Sequence, residues 1–360
     1  MKAARLFGPR DLRIVEVPEP TSPGPGEVLL RVGVVGICGS DLLFYQQGQI
    51  GDTLLETPVV PGHEFSATVI TAGSHARDGF GNQLNPGQMV AVDPSVSCRN
   101  CDLCERGRYN LCRNLRFIGL WPNDGALQER IVFPARSCFP LPGQLSLDEG
   151  TLLEPLGVAI HAVDLAGLSL GETVAVLGCG PIGLLIVRLC KLSGVRSVFA
   201  TDVLPWRVDA ARDWGADVAI DAKSSHPVET IRDLTGGRGA DVVFEAAWGG
   251  EAAEQAIEVA DLGGRVIFVG IPRDDRLSFR HSAARRKGLS IRMCRRMLRA
   301  YPKAIALASN GQLDLKLLVS HRFTLDQASE AFALNAGYGD GALKVMIGVS
   351  ETAQREAENG

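Results

Sequence analysis

One stretch decides the fold of this chain: it reads VAVLGCGPIG at residues 174–183, LLIV at 184–187 and VFATD at 198–202. A short apolar run of this kind is typical of a buried parallel strand, and here it leads through a glycine turn into a helix and a second strand. Gly178 permits a tight turn, Gly180 lets the backbone approach a pyrophosphate, and Gly183 lets helix and strand pack closely. With Pro181 and Ile182 at the start of the helix, these glycines form a predicted dinucleotide-binding turn.

The second strand of this stretch ends in an acidic residue, Asp202, 19 residues after Gly183. A carboxylate at this place accepts hydrogen bonds from the adenosine ribose and repels a 2′-phosphate, so the predicted cofactor is NAD. Arg207, the first basic residue after Asp202, belongs to the same predicted site. Glycines also mark ordinary turns, and the alternative for Asp202 is a solvated acid at a strand end.

The chain around this stretch alternates strand and helix, which predicts an α/β fold with a doubly wound parallel sheet. The predicted strands are 173–178, 197–202, 217–221, 240–245 and 265–270, and the predicted helices are about 181–194, 205–215, 226–235 and 250–262. We expect a helix at 148–167 before them. After residue 290 we expect a helix at about 297–310, a strand near 315–320, a helix from 325 and a strand at 343–347.

The residues before this region are different in character, because residues 1–149 contain short strand-like runs separated by Gly and Pro. Such a pattern indicates a β-rich, partly open barrel. We therefore predict a β-rich domain at 1–149 and a dinucleotide-binding domain at 150–289. The segment 290–360 is too short to bury itself and is predicted to pack on the first domain.

Composition excludes several classes of partner. The 360 residues carry a net charge of −4, which gives no general attraction to nucleic acid or membranes. No apolar run reaches the 18 or so residues of a membrane span, and the amino-terminal segment lacks the apolar core of a signal peptide. Nine cysteines without an export signal indicate reduced thiols and metal rather than disulfides, so a cytoplasmic location is predicted.

Four of the cysteines lie close together, with spacings of two, two and seven residues: Cys98, Cys101, Cys104 and Cys112. Four thiolates at such spacing close a tetrahedron around one zinc ion and leave no open position, so the predicted role is structural. The alternatives are an iron–sulfur cluster and four idle thiols. A bacterial ferredoxin run spaces its last cysteine by three residues, which differs from the spacing here.

A second set of metal-binding residue types is dispersed along the chain: Cys38, His63, Glu64 and Glu154. Each alone is a weak signal, because a single Cys is usually a core residue and a His-Glu pair usually lies on the surface. Together they supply a thiolate, an imidazole and carboxylates, which suit a zinc ion with one open position.

Several motifs together resemble the zinc-dependent medium-chain dehydrogenase/reductase family, and within it the sorbitol (polyol) dehydrogenase branch. The resemblance covers essentially the whole chain and is carried by GICGSD at 36–41, PGHE at 61–64, the four-cysteine lobe at about 95–115, EPLGVAIHA at 154–162, GCGPIG at 178–183 and HRF at 321–323. It implies a GroES-like catalytic domain, a Rossmann NAD-binding domain and two zinc ions per subunit, one catalytic and one structural.

The resemblance also implies roles for single residues. Cys38, His63 and Glu64 match the catalytic zinc ligands, and Glu154 matches a carboxylate that binds the metal directly or through water. Ser40 matches the hydroxyl that passes on the alcohol proton. Arg296 matches an arginine that binds substrate hydroxyls, with a solvated charge as the alternative. Many relatives have a His five residues after the catalytic Cys, whereas this chain has Leu43, so another route must carry the proton outward.

The predicted activity is the reversible, NAD-dependent oxidation of a secondary alcohol of a polyol to a ketose. The alternative on the same scaffold is a dehydrogenase for a sugar acid, a sugar-alcohol phosphate or threonine. The basic residues at 285, 286, 292, 295, 296 and 299 would favour such an anionic substrate. A non-catalytic scaffold has no need of an open metal site. A homodimer or homotetramer through the Rossmann domain is expected, with the run 265–270 as the sheet edge that associates.

Overall fold

The computed structural model describes residues 1–350 and residue 353. Two compact units are present: residues 1–154 together with the described residues from 301 onward, and residues 155–300. The domain limits expected from the sequence, 149/150 and 289/290, stay a prediction. Among the described residues, no helix is both long enough and apolar enough to cross a membrane.

The first 140 residues are rich in strands. The strands are β1 Lys2–Gly8, β2 Asp11–Glu16, β3 Glu27–Gly36, β4 Gln49–Ile50, β5 Thr53–Leu54, β6 Glu64–Ala72, β7 Met89–Val92, β8 Ser95–Val96, β9 Arg116–Phe117, β10 Arg130–Pro134 and β11 Cys138–Pro140. The helices are α1 Gly39–Gln47 and α2 Asp102–Glu105, with short 3₁₀ turns at Tyr109–Leu111 and Ala135–Ser137. Helix α1 ends at Gly48, whose φ of 69° is the left-handed conformation that glycine adopts without strain.

Helix α3, Leu147–Ala166, carries Pro155 in its interior and contains the boundary between the two units. The sequence predicted this helix at 148–167.

The second unit contains the alternating region. Its elements are β12 Thr173–Leu177, α4 Pro181–Leu192, β13 Ser197–Asp202, α5 Pro205–Asp213, β14 Val218–Asp221, α6 Pro227–Leu234, β15 Ala240–Glu245, α7 Ala252–Val259, β16 Ala260–Phe268, α8 His281–Lys287 and β17 Ser290–Met293. All pairings between these strands are parallel, in the order β14-β13-β12-β15-β16-β17. The doubly wound parallel sheet predicted from the sequence is therefore confirmed.

One expectation for the second unit is wrong, and two of its elements were not predicted. The run 265–270 is not the sheet edge, because its strand β16 lies between β15 and β17. The edge strand on this side of the sheet is β17, whose residues are all exposed, and its basic, alternating sequence gave no signal of a buried strand. Strand β17 and helix α8 are both absent from the predicted elements.

The chain then returns to the first unit through α9 Tyr301–Ser309, a 3₁₀ turn at Leu315–Leu318, β18 Val319–Thr324, α10 Ala328–Ala336 and β19 Lys344–Gly348. The strand predicted near 315–320 therefore lies a few residues later. In the main sheet, β19 pairs with the end of β3 that carries Gly36, and β10 pairs with the other end. This arrangement fixes β19 beside the strand that leads into Cys38.

Candidate active site

Three residues of different chemical type come together in the first unit. One ligand atom from each of Cys38, His63 and Glu64 lies within 4.8 Å of the others, and both His63 and Glu64 are buried. Cys38 stands at the N-cap of α1, whereas His63 immediately precedes β6 and Glu64 begins it. The register pairs Gly36 with Glu64, and a Cβ on Gly36 would lie 2.5 Å from Glu64 Oε2. Glycine is therefore required where the carboxylate crosses the neighbouring strand.

Asp41 connects two members of this group, although the sequence analysis did not select it. Its Oδ2 accepts a hydrogen bond of 2.9 Å from the Cys38 N–H, and its Oδ1 lies 3.2 Å from His63 Nδ1. The second contact is not aligned as a hydrogen bond, so both buried atoms lack a hydrogen-bond partner. Burial lowers the pKa of His63, but the charges of Asp41 and Cys38 outweigh it and leave that pKa well above its usual range.

Ser40 lies on the other side of the imidazole, with its Oγ 3.4 Å from His63 Nε2. The ring of Phe117 covers His63, with ring centroids 5.1 Å apart. Leu43, which replaces the usual relay histidine, is 2% exposed and belongs to the apolar core. The serine hydroxyl therefore faces the candidate ligand group, and position 43 offers no polar atom to a proton path.

Lys344 is the second residue that the sequence analysis missed. Its Nζ lies 2.9 and 2.6 Å from the two carboxylate oxygens of Glu64 and donates to the Ile37 carbonyl at 3.2 Å. Both side chains are almost fully buried, at 3% and 1% exposure. A cation in a strand that is otherwise apolar was the available signal, because a buried charge needs a buried partner.

Glu154 is buried on α3, and its carboxylate is not part of the close group that Cys38, His63 and Glu64 form. Burial raises its pKa to about 8; the charge of His63 opposes this shift and that of Glu64 adds to it. The carboxyl group is thus within electrostatic reach of the ligand group.

The donor set fits a zinc ion. A thiolate, an imidazole and a carboxylate are the ligand types that zinc takes at a site with an open position. The unaligned pair of His63 Nδ1 and Asp41 Oδ1 fits as well, because metal-binding histidines usually direct the second ring nitrogen at a carboxylate. The residues present are therefore suited to a catalytic metal.

The four cysteines of the lobe also come together, with Sγ atoms within 4.8 Å of one another. The Sγ atoms of Cys98 and Cys112 are 3.3 Å apart, and the Cys98 N–H points at Cys112 Sγ from 3.2 Å. The N–H groups of Arg113 and Cys104 lower the pKa of Cys101 to about 6. Four free thiols in such a group, one already inclined to ionise, suit a closed tetrahedral zinc site.

The glycine turn in the second unit has the form that the motif predicts. Gly178 has a φ of 99°, and a Cβ on Gly183 would lie 1.9 Å from the Gly178 carbonyl oxygen. Gly180 is the N-cap of α4, and Pro181 and Ile182 begin the helix. Any larger residue at position 183 would push the helix away from the turn, so this glycine keeps the start of α4 close to the strand ends.

Asp202 is buried at the end of β13 and is already hydrogen-bonded to main chain. Its Oδ2 accepts from the Cys179 N–H at 2.7 Å and its Oδ1 from the Leu204 N–H at 2.9 Å. Arg207 Nη1 lies 4.0 Å from the same carboxylate. Each carboxylate oxygen has further lone pairs, so Asp202 holds the glycine turn and still has capacity for a ribose hydroxyl.

Arg296 lies in the second unit, in the connection between β17 and α9, and is half-buried. Its φ of 54° is the left-handed conformation, and Arg299 shares it with a φ of 50°. Strained positions of this kind are often functional, and the substrate-binding role of Arg296 stays a prediction.

Comparison with known proteins agrees with this geometry. Residues 24–143 match the alcohol dehydrogenase GroES-like domain, and residues 181–310 match the zinc-binding dehydrogenase family. Sorbitol dehydrogenase from Bacillus subtilis (strain 168) is 35% identical over 347 residues, which cover 96% of this chain and 97% of that protein. The chain belongs to the zinc-dependent medium-chain dehydrogenase/reductase family.

Other members of the family extend this picture. Sorbitol dehydrogenase from Homo sapiens is 37% identical, with 95% of this chain and 94% of that protein covered. The structure of L-idonate 5-dehydrogenase from Escherichia coli superposes with a TM-score of 0.87 at 28% identity, covering 97% of this chain and 98% of that one. A zinc-binding dehydrogenase from Sinorhizobium meliloti, bound to NADP, gives a TM-score of 0.85 at 32% identity, covering 97% and 99%. Both the GroES-like and the Rossmann-type parts of the predicted fold are thus confirmed.

Proposed function

We propose that this chain is a zinc- and NAD-dependent polyol dehydrogenase, which oxidises a secondary alcohol of a sugar alcohol to a ketose in a reversible reaction. One observation carries the proposal: Cys38, His63 and Glu64 meet in one buried group with the Ser40 hydroxyl beside it. Sorbitol dehydrogenases at 35–37% identity over nearly the whole chain support the same substrate class.

The residues of the first unit have separate roles in the proposed reaction. When bound, the zinc ion supplies a Lewis acid that acidifies the substrate hydroxyl, and NAD supplies the hydride acceptor. Asp41 orients His63, and Lys344 balances the charge of Glu64. Ser40 Oγ accepts the alcohol proton and passes it on.

The proton must leave Ser40 by a route that avoids Leu43, because that side chain is buried and apolar. Water, the cofactor ribose or a hydroxyl of the substrate itself can serve. A polyol substrate brings such hydroxyls with it, whereas a simple alcohol does not.

The test is a substrate panel with NAD that includes hexitols, pentitols, aldonates, sugar-alcohol phosphates, threonine, ethanol and 2-propanol. A site built to hydrogen-bond hydroxyls rejects analogues without them by several powers of ten. We expect kcat/KM for the best polyol to exceed that for 2-propanol by at least about a thousandfold. Simple alcohols that react as well as every polyol would refute the polyol assignment and leave only an alcohol dehydrogenase.

A second candidate is a dehydrogenase for an anionic sugar derivative. The E. coli protein of similar structure is an L-idonate 5-dehydrogenase, and the segment 285–299 of this chain is rich in arginine. Several of these arginines are exposed, and Arg292 donates to the Leu165 carbonyl. The aldonates and phosphates in the same panel decide between the two candidates.

We infer NAD rather than NADP as the cofactor, and two zinc ions per subunit. Asp202 supports NAD, because its carboxylate would repel a 2′-phosphate. The Arg207 guanidinium close to Asp202 argues the other way, and solved structures of similar proteins contain NADP in one case and NADH in another. The two ligand groups support the zinc count.

Association into a homodimer or homotetramer is also proposed, now through the edge strand β17 instead of residues 265–270. Ile291 and Met293 on this strand are exposed at 38% and 62%. Light scattering should show a dimer or tetramer in the native protein and a monomer in Met293→Lys.

The nine free thiols support a reducing compartment, and we propose the cytoplasm.

A further inference from the structure

Glu245 is a buried carboxylic acid in the second unit that the reaction chemistry does not use. It is the last residue of β15, next to Leu177 of β12 in the parallel register, and is 1% exposed. Burial raises its pKa to about 7, and the main-chain N–H groups of Ala247 and Gly270 oppose that shift. A buried acid costs free energy, so its presence at the carboxyl end of a central strand calls for a function.

Glu245 holds two loops together, one through its carboxylate and one through its main chain. Its Oε1 accepts a hydrogen bond of 2.9 Å from the Ala247 N–H, in the loop that follows β15. The main-chain oxygen of Glu245 accepts from Val269 and Gly270 at 2.8 and 3.0 Å, in the loop that follows β16. A Cβ on Gly270 would lie 1.9 Å from the Ala247 carbonyl oxygen and 2.9 Å from Glu245 Oε2. The two loops therefore meet at Glu245, whose carboxylate holds the first and whose main-chain oxygen holds the second.

The glycine turn rests on the same loop. A Cβ on Gly178 would lie 2.7 Å from the Ala246 carbonyl oxygen and 2.9 Å from the Ala247 nitrogen. A displacement of Ala246–Ala247 would therefore displace the turn, whose backbone must approach the cofactor pyrophosphate closely.

A second contact joins the two loops further out. The guanidinium of Arg273 lies over the ring of Trp248, 4.8 Å from its centroid. Trp248 is half-buried and Arg273 is exposed, so this contact is weaker than the buried one. In open parallel sheets, ligands bind beyond the carboxyl ends of the strands, which is where both contacts lie.

We propose that Glu245 is a positioning residue for the nicotinamide cofactor: its carboxylate sets the loop after β15 against the glycine turn and so determines cofactor affinity. This inference rests on the proposed use of a nicotinamide cofactor. Neither contact touches the metal ligands, so the role is separable from the chemistry of the reaction.

The experiment compares Glu245→Gln with Asp241→Asn in the zinc-loaded protein. Asp241 lies near the start of the same strand, where its Oδ2 accepts the Thr173 N–H at 2.7 Å, so it is a matched carboxylate at the opposite end of β15. We expect the Kd for NADH, measured by fluorescence titration, to rise about tenfold in Glu245→Gln, because a neutral amide oxygen accepts the Ala247 N–H more weakly than a carboxylate does and the amide NH₂ cannot accept at all. The Kd of Asp241→Asn should stay within about twofold of the wild type.

Glu245→Met separates affinity from stability. It removes the buried acid while filling its volume, so it should melt no lower than the wild type and still bind NADH weakly. Wild-type affinity in both Glu245 variants would overturn the inference, as would an equal loss in Asp241→Asn. A wild-type protein that binds no NADH would refute the proposed function, and the inference with it.

Discussion

Lys344 holds both carboxylate oxygens of Glu64, at 2.9 and 2.6 Å, across 280 residues of sequence. The pair joins the first strand residue after His63 to the first residue of β19, the last strand among the described residues. Because both side chains are buried, neither can exchange its partner for water. The candidate metal ligand is thus supported from the far end of the chain.

Lys344→Met should destabilise the metal-free protein by about 3–5 kcal/mol, because it leaves Glu64 buried without its hydrogen-bonded ion-pair partner. Urea unfolding of the chelated protein measures this free energy. In the double variant Lys344→Met with Glu64→Gln, much of the loss should be recovered, since the unpaired charge is gone. A single variant as stable as the wild type would contradict the role assigned to this ion pair.

Stability of the metal-free protein should also depend on Glu154. Burial raises the pKa of Glu154 from 4.5 to about 8, so the folded state favours the protonated acid. Its contribution to stability is therefore fully present below about pH 4.5 and is lost as the pH rises through about 8. Glu154→Gln should reduce the fall in unfolding free energy between pH 5 and 8 by about 1–4 kcal/mol. Parallel pH profiles of the two proteins would exclude this contribution.

Cys101→Ser should remove the structural zinc ion. Elemental analysis should give about one zinc per subunit in place of about two, with a lower yield of folded protein. Cys294→Ser is the matched control, because this half-buried thiol belongs to neither ligand group and the variant should keep both ions.

His63→Ala should fold normally and lose activity. Fewer than about one zinc per subunit in unchelated wild type would count against both sites.

Asp202→Asn should reduce the preference for NAD over NADP by about 1–3 kcal/mol, measured as the ratio of kcat/KM values. The amide keeps the size of the side chain and removes the charge that repels a 2′-phosphate. Because it also gives up one of the two main-chain hydrogen bonds, from Cys179 or Leu204, the ratio of the two cofactors is the readout and not kcat/KM for either one. Asp221→Asn is a matched control, since Asp221 lies opposite Asp202 in the register of β13 and β14. A wild type that prefers NADP would refute the assignment of NAD.

Arg296→Ala should weaken kcat/KM for the polyol by about 1–3 kcal/mol and that for 2-propanol by much less. The reason is that the guanidinium is proposed to bind substrate hydroxyls that a simple alcohol lacks. Arg295→Ala, at the exposed neighbouring position, should affect neither substrate. An equal effect of Arg296→Ala on both substrates would assign this arginine a structural role.

Local motifs carried most of what could be predicted from the sequence. The glycine turn, the four-cysteine lobe and the alternating strands each depend on residues close together in the chain, where turn geometry and spacing constrain the structure directly. The strand Lys344–Gly348 was predicted to within one residue at each end, because its apolar run is also a local signal.

Long-range relationships could not be predicted in this way. In the sequence, Asp41 was recognised only as the last residue of the motif at 36–41. No neighbouring residue indicated that its carboxylate faces His63. The partner of Lys344 lies 280 residues away, beyond any periodicity argument. Strand β17 was missed because a fully exposed edge strand lacks the apolar pattern by which buried strands are recognised.

The pairing of β19 with β3 has a consequence for biosynthesis. The second unit is one continuous segment and can fold as soon as it leaves the ribosome, whereas the first unit is interrupted by it. Until β19 is synthesised, β3 keeps an open edge beside Gly36 and Glu64 lacks its cation. A nascent chain, or one truncated before residue 344, therefore exposes an unpaired strand that promotes aggregation. The pairing of β19 is thus the last step of assembly for a site whose other residues were made first.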